Sequence, residues 1–130
     1  MVQKKTRKTP KGSFIPKGFH PSPLVLGSLD QARSLTLWDS QACIVKCRVT
    51  LEYLVGDLER HSGIYDGSAK KALSDRLREL SRRRVITKKQ ELIFEIIRKT
   101  GNRAAHGEII SPQSAAVNVH RLEELLTTFS

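Results

Sequence analysis

Apolar side chains recur at helical spacing along most of this chain, and nowhere do they alternate as a half-buried strand would require. The clearest run is Cys43, Cys47, Leu51, Leu54 and Leu58. It predicts a long first helix from about Leu35 or Thr36 to His61, stopped by Gly63. A second apolar group on the same segment, Trp38, Ala42, Val45, Val49 and Tyr53, points almost the opposite way. A helix apolar on two faces is either central in its bundle or shared with a second copy. Ala69, Ala72, Leu73, Leu77 and Leu80 give the inner face of a second helix, spanning about Ser68 to Arg83. The third opens on Thr87-Lys88-Lys89-Gln90, a capping box in which Thr87 and Gln90 satisfy end amides reciprocally. It continues through Leu92, Ile93, Phe94, Ile96 and Ile97 and closes near Gly107, a natural C-cap. The fourth starts with Ser111 as N-cap and Pro112 at the first helical position, and turns Ala115, Val119, Leu122, Leu125, Leu126 and Phe129 inward. There is no internal repeat. The pattern predicts an all-α fold of four helices with short connections over residues 28–130.

Residues 1–27 fall outside this pattern. They hold Pro10, Pro16, Pro21 and Pro23 with Gly12, Gly18 and Gly27, which predicts an extended segment without helix or strand. They also carry Lys4, Lys5, Arg7, Lys8, Lys11 and Lys17 and no acidic residue, so the segment reads as a basic arm for anions or, more simply, a solubilising tail. On this reading its removal spares the fold.

Charge extends the picture. The net charge is +10 and the pI about 10.1, which favours polyanionic partners. Between Lys70 and Lys89 there are nine cations against Asp75 and Glu79, among them Arg82, Arg83, Arg84, Lys88 and Lys89. No run reaches membrane-spanning length and the N-terminus lacks the apolar core of a signal peptide, so a cytoplasmic protein without a membrane partner is expected. Cys43 and Cys47 are one helical turn apart, with no further pair nearby to complete a zinc site. They read as small buried hydrophobes in a reducing compartment, and neither metal nor cofactor is expected.

Candidate chemistry concentrates at the end of the third helix, in Arg98-Lys99-Thr100-Gly101-Asn102-Arg103-Ala104-Ala105-His106-Gly107. Arg98, Asn102 and His106 stand four residues apart and form one ladder on the helix surface, beside the buried face. A guanidinium that binds phosphate, an amide that donates and accepts, and an imidazole that moves protons near neutral pH suit phosphodiester chemistry or phosphate binding. The plainer alternative is that Arg98 pairs with Glu95 and His106 only stabilises the helix end.

The string Gly101-Asn102-Arg103-Ala104-Ala105-His106-Gly107 resembles the signature of one branch of the HEPN superfamily, catalogued as a domain of unknown function and often found beside defence genes. Asp39-Ser40-Gln41-Ala42-Cys43, Arg48-Val49-Thr50-Leu51-Glu52 and Ile96-Ile97-Arg98-Lys99-Thr100 extend the resemblance over about residues 36–128. It implies a four-helix up-and-down bundle, often a homodimer with motif helices facing each other. It also implies a metal-independent ribonuclease mechanism in which a ribose 2′-hydroxyl attacks the adjacent phosphate, His transfers protons and Arg stabilises the added charge. Carried onto this chain, the His is His106 and the polar residue Asn102. The Arg expected before Asn102 is Gly101 here, so Arg98, on the same stripe, becomes the substitute.

Three functions follow. The first is a nucleic-acid-binding module, RNA being favoured over DNA without excluding it, of a prokaryotic or phage defence or regulatory system. It would hold phosphates through the arm, the Arg82–Arg84 and Lys88–Lys89 cluster, and Arg103 at the motif. The second is a metal-independent endoribonuclease working through His106, Asn102 and Arg98. The third is an interaction subunit whose arm, with Phe14, Ile15 and Phe19 among its lysines, engages a protein partner.

Overall fold

The longest apolar stripe of the chain becomes its central helix. The structure, a computed structural model, describes residues 18–65 and 71–129, and these form five helices with no strand among the described residues. They are α1 (Pro23–Leu35), α2 (Ser40–His61), α3 (Leu73–Arg82), α4 (Lys88–Ala105) and α5 (Pro112–Thr127). α2 touches all four others. Its Cys43, Ile44, Cys47, Leu51, Leu54, Val55 and Leu58 are fully buried, which places α2 at the middle of one continuous core.

The first helix differs from expectation, both in number and in place. Pro23–Leu35 is helical, so the N-terminal boundary at residue 27 cuts through α1. Ser22 caps it, its hydroxyl accepting from the Val25 amide, and Pro23 occupies the first turn, where a missing N–H costs nothing. Val25, Leu29 and Ala32 recur at helical spacing on the buried face. Two hydrogen bonds fasten α1 to α2: the Ser22 amide donates to Asp57 Oδ2 at 2.8 Å, and the Ser28 and Thr50 hydroxyls meet at 2.6 Å in the interior. The segment expected to continue as helix between Leu35 and Ser40 is a turn instead. Asp39 ends it by capping α2 through the Ala42 amide. Leu37 and Trp38 project from that turn, Trp38 with 88% of its surface exposed.

The other helices follow the pattern more closely. α3 begins at Leu73, with Ala72 as an exposed cap residue and not part of an inner face, and Ala69 lies outside the described residues. Leu73, Leu77 and Leu80 are buried as expected. Arg84 turns the chain through a left-handed conformation (φ 61°), which folds Val85 and Ile86 back into the core. The Thr87–Gln90 capping box is fully formed, and Gln90 also donates to the Thr128 hydroxyl at the far end of α5. α4 ends in a Schellman motif: Glu108 N–H bonds the Arg103 carbonyl, Gly107 N–H bonds Ala104, and Gly107 takes φ 96°. Ser111 caps α5 through Ser114, with Pro112 behind it.

One end of the helical core is closed by rings from four segments. Phe94 meets Phe129 at 6.3 Å, Phe129 meets Phe19 at 5.7 Å, and Phe19 meets His61 at 5.5 Å, all edge to face. Phe19 is only 4% exposed, so the distal end of the expected arm is part of the core. This corrects the expectation that residues 1–27 are dispensable for folding. Phe19→Ala should cost about 3 kcal/mol, the lower part of the range for a buried Phe truncation. Deleting residues 1–27, which also removes Ser22 and Val25, should lower the melting temperature markedly, as circular dichroism melts of both variants will show.

Candidate functional site

Two groups of residues were expected to carry function, and α4 holds one at each end. Lys88 and Lys89 open the helix while Asn102 and His106 close it, about 25 Å apart for a helix of this length.

At the closing end, Arg98, Asn102 and His106 do occupy consecutive turns of one helix, but they are not joined. Arg98 donates through Nε and Nη2 to Glu95 Oε1, at 3.2 and 2.7 Å, and its side chain is only 16% exposed. The plainer reading of this residue therefore holds. Asn102 is half-buried, and the hydrogen bond it makes to the last turn runs from the His106 amide to its own backbone carbonyl. His106 is the exposed C-cap residue. Arg103 projects from another side of the helix, toward Glu108 and the Thr100 hydroxyl.

Gly101, where the resemblance leads one to expect Arg, is buried against α2. A Cβ there would lie 2.6 Å from the Cβ of Arg48, closer than side-chain carbons approach. The stem of Arg48 thus fills the space over Gly101, and its Nη1 donates to Glu52 Oε2 at 2.6 Å. Its Nε is buried with no hydrogen-bond partner. One turn on, Gln41 donates to the Ala104 carbonyl, so α2 and α4 run antiparallel past each other. Sequence reading did not single out Arg48. Its only signal was its place in the Arg48–Glu52 run, since the contact with Gly101 joins residues far apart in the chain.

At the opening end, Arg82, Arg83, Arg84, Lys88 and Lys89 come together where α3 turns into α4, and all five are exposed. Glu79 restrains two of them. Arg82 Nε and Nη2 donate to it at 3.0 and 2.6 Å, and Arg83 Nε at 2.5 Å. The Arg82 hydrogen bonds, followed by that of Arg83, hold the Glu79 carboxyl down at about 2, so it is charged at every pH of interest. Lys88 leans toward Glu91 at 3.6 Å. Glu79 was legible only as spacing, three and four residues before its partners. Lys4, Lys5, Arg7, Lys8, Lys11 and Lys17 lie outside the described residues.

Neither end offers metal ligands. Among the described residues no group of three or more His, Cys, Asp or Glu side chains could hold an ion. Cys43 and Cys47 are free and buried. The hydrogen bond between them, helped by the Thr36 hydroxyl, holds the Cys43 thiol down at about 7, while the same bond and burial push Cys47 up. Among the described residues, no helix is long and apolar enough to cross a membrane.

The glycine contact yields a direct test. Gly101→Ala adds a methyl group where the Arg48 Cβ stands, and neither helix backbone can swing away cheaply. Despite the roughly 1 kcal/mol that Ala gains over Gly in helix propensity, net destabilisation of about 1–2 kcal/mol is expected, within the range for overpacking. Gly101→Arg should prevent folding of the single chain, and does not need an intermolecular contact to do so. Urea denaturation of the two variants measures both effects.

No curated protein and no solved structure matches this chain. The family described as a domain of unknown function (DUF4145) matches residues 30–128, from the second half of α1 through α5, and the protein belongs to that family.

Proposed function

We propose that this protein is an RNA-binding helical module of HEPN type, in which α2, α3, α4 and α5 correspond to the four-helix bundle and α1 is an addition packed on α2. The observation that carries this reading is the basic corner between α3 and α4. Arg82, Arg83, Arg84, Lys88 and Lys89 are all exposed there, with Glu79 paired to Arg82 and Arg83 and Glu91 near Lys88. A chain of net charge +10 with five exposed cations at one corner is suited to meet a phosphate backbone. The basic N-terminal segment adds six more cations to the same role.

Binding is favoured over cleavage. A ribonuclease site needs a guanidinium free to receive the charge that develops on the phosphate. Arg98 is committed to Glu95, and Arg48, which borders the motif in place of an Arg at 101, is committed to Glu52. His106 is exposed for a proton transfer, but Arg98, the guanidinium of its ladder, is held by Glu95.

The reading includes a homodimer. Ala42, Val45 and Val49 on the second face of α2 form a shallow groove with Leu35, Ala104 and Ala105, and the exposed Leu37 and Trp38 belong to the turn between its lining residues Leu35 and Asp39. A knob and a groove on one face suit an isologous pair, each copy seating the other. Light scattering should give twice the 14.6 kDa chain mass, and Trp38→Ala should return it to the single-chain value. A single-chain mass for the unaltered protein at high micromolar concentration overturns the dimer.

A salt series on fluorescent RNA tests the binding itself. Affinity should fall steeply between low and moderate salt as counterions are released. Lys89→Ala should lower the slope of log K against log salt by about 0.7, the value for one phosphate contact on a single strand. Glu79→Gln should tighten binding, because it frees Arg82 and Arg83. Salt-independent binding, or Glu79→Gln without effect, counts against the basic corner.

A further inference from the structure

The described part of the chain contains two tyrosines, Tyr53 and Tyr65, and both line the same cavity. It lies between α2, the segment that follows it, and α3, and has a volume of about 260 Å³. Leu24 and Ile64 supply apolar wall, and Gly56 is part of the lining, where a Cβ would press on the Arg60 guanidinium at 3.2 Å. Arg60 lies over the Tyr65 ring, 4.4 Å from its centre, so a cation and an aromatic face are already stacked at the rim.

Charge decides what this cavity can take. Three carboxylates border it, and each is already paired: Glu52 with Arg48, Glu59 with Arg76 through two hydrogen bonds at 2.7 and 3.1 Å, and Glu79 with Arg82 and Arg83. Arg60 has Asp57 only at 3.7 Å, and Lys71 makes no ion pair with any described residue. The cavity therefore presents two rings and two weakly engaged cations to an incoming group. It suits a flat, electron-rich ring attached to an anion. Its volume is just below the roughly 300 Å³ at which pockets enclose a whole small-molecule ligand, and so fits one ring of something larger.

Position identifies the larger thing. Glu79 both borders the cavity and holds Arg82 and Arg83, so the cavity opens directly beside the basic corner. We infer that the cavity receives one unstacked base of a single-stranded RNA whose phosphates lie on that corner, with Tyr65 and Tyr53 as the stacking surface and Arg60 and Lys71 on the flanking phosphate. The inference rests on the RNA-binding reading and makes it specific for single strands, because a base held inside a duplex cannot enter.

The test compares a short fluorescent single-stranded RNA with a duplex of the same sequence on the full chain. The unaltered protein should prefer the single strand. Tyr65→Ala should weaken single-strand binding roughly five- to a hundredfold, the range for one lost base–aromatic stack, and leave duplex binding within about twofold. Tyr65→Phe, which keeps the ring, should restore the affinity. Tyr65 is 43% exposed, so its variants should melt with the unaltered protein, and a melting curve checks this. The ring proton signals of Tyr53 and Tyr65 should also shift when the single strand is added. If the protein binds RNA and Tyr65→Ala weakens both forms alike or neither, the cavity inference fails while RNA binding stands. If it binds neither form, both readings fail together.

Discussion

At residue 101, where α4 crosses α2, there is room for a hydrogen atom and nothing larger. That close approach governs much else in the structure. With Gly101 against the stem of Arg48, and the Ala104 carbonyl held by Gln41, the two longest helices lie near enough for Cys43, Ile44, Cys47 and Leu51 to share one dry core with Ile97 and Ala104. A glycine inside a helix gives up about 1 kcal/mol of propensity against Ala. Here the loss is offset by the packing of two antiparallel helices at a distance no other residue permits. The Gly-Asn string that looked like part of a reactive site is thus in part a packing device.

Charge is arranged around this core by a simple rule: most arginines of the described chain face a carboxylate three or four residues away, or one on a neighbouring helix. Arg98 and Glu95, Arg48 and Glu52, and Arg78 and Asp75 are of the first kind; Arg76 and Glu59 are of the second. Exposed pairs of this type contribute little stability. Arg76 and Glu59 are different, since both are largely buried and their fork fixes α3 on α2. At the α3–α4 corner, where Arg84 takes a left-handed turn, three consecutive arginines face solvent although Glu79 pairs with the first two.

How much of this was legible in the sequence depended on whether a signal was local. The capping box at Thr87, the Ser111-Pro112 start and the glycine end at Gly107 act within a few residues, and each could be read directly. α1 carries the same start signal, Ser22-Pro23, yet its first turn falls inside the segment whose composition predicts an arm. Four prolines and six cations upstream dominated its composition, and Leu24 and Leu26, which are exposed, blurred the phase of Val25, Leu29 and Ala32. Trp38 misled in the other direction: its size placed it on an apolar face, whereas it stands in a turn. The long-range features left no trace in spacing. Gly101 and Arg48 are far apart in the chain, Tyr53 and Tyr65 belong to different segments, and Phe19 reaches Phe129 from the other end of the molecule.

The two ends of α4 divide the demands on the chain. At the C-terminal end, close packing at Gly101, burial of Ala104 and the Schellman turn use the backbone for architecture, and Arg98 beside them is held by Glu95. At the N-terminal end the helix is anchored by its capping box and by Gln90 reaching Thr128, so its first turn is rigid without further help from Lys88 and Lys89. Those lysines therefore stay exposed on a turn that holds itself in place. Cations held in solvent by a self-supporting helix start are what the proposed contact with a phosphate backbone requires.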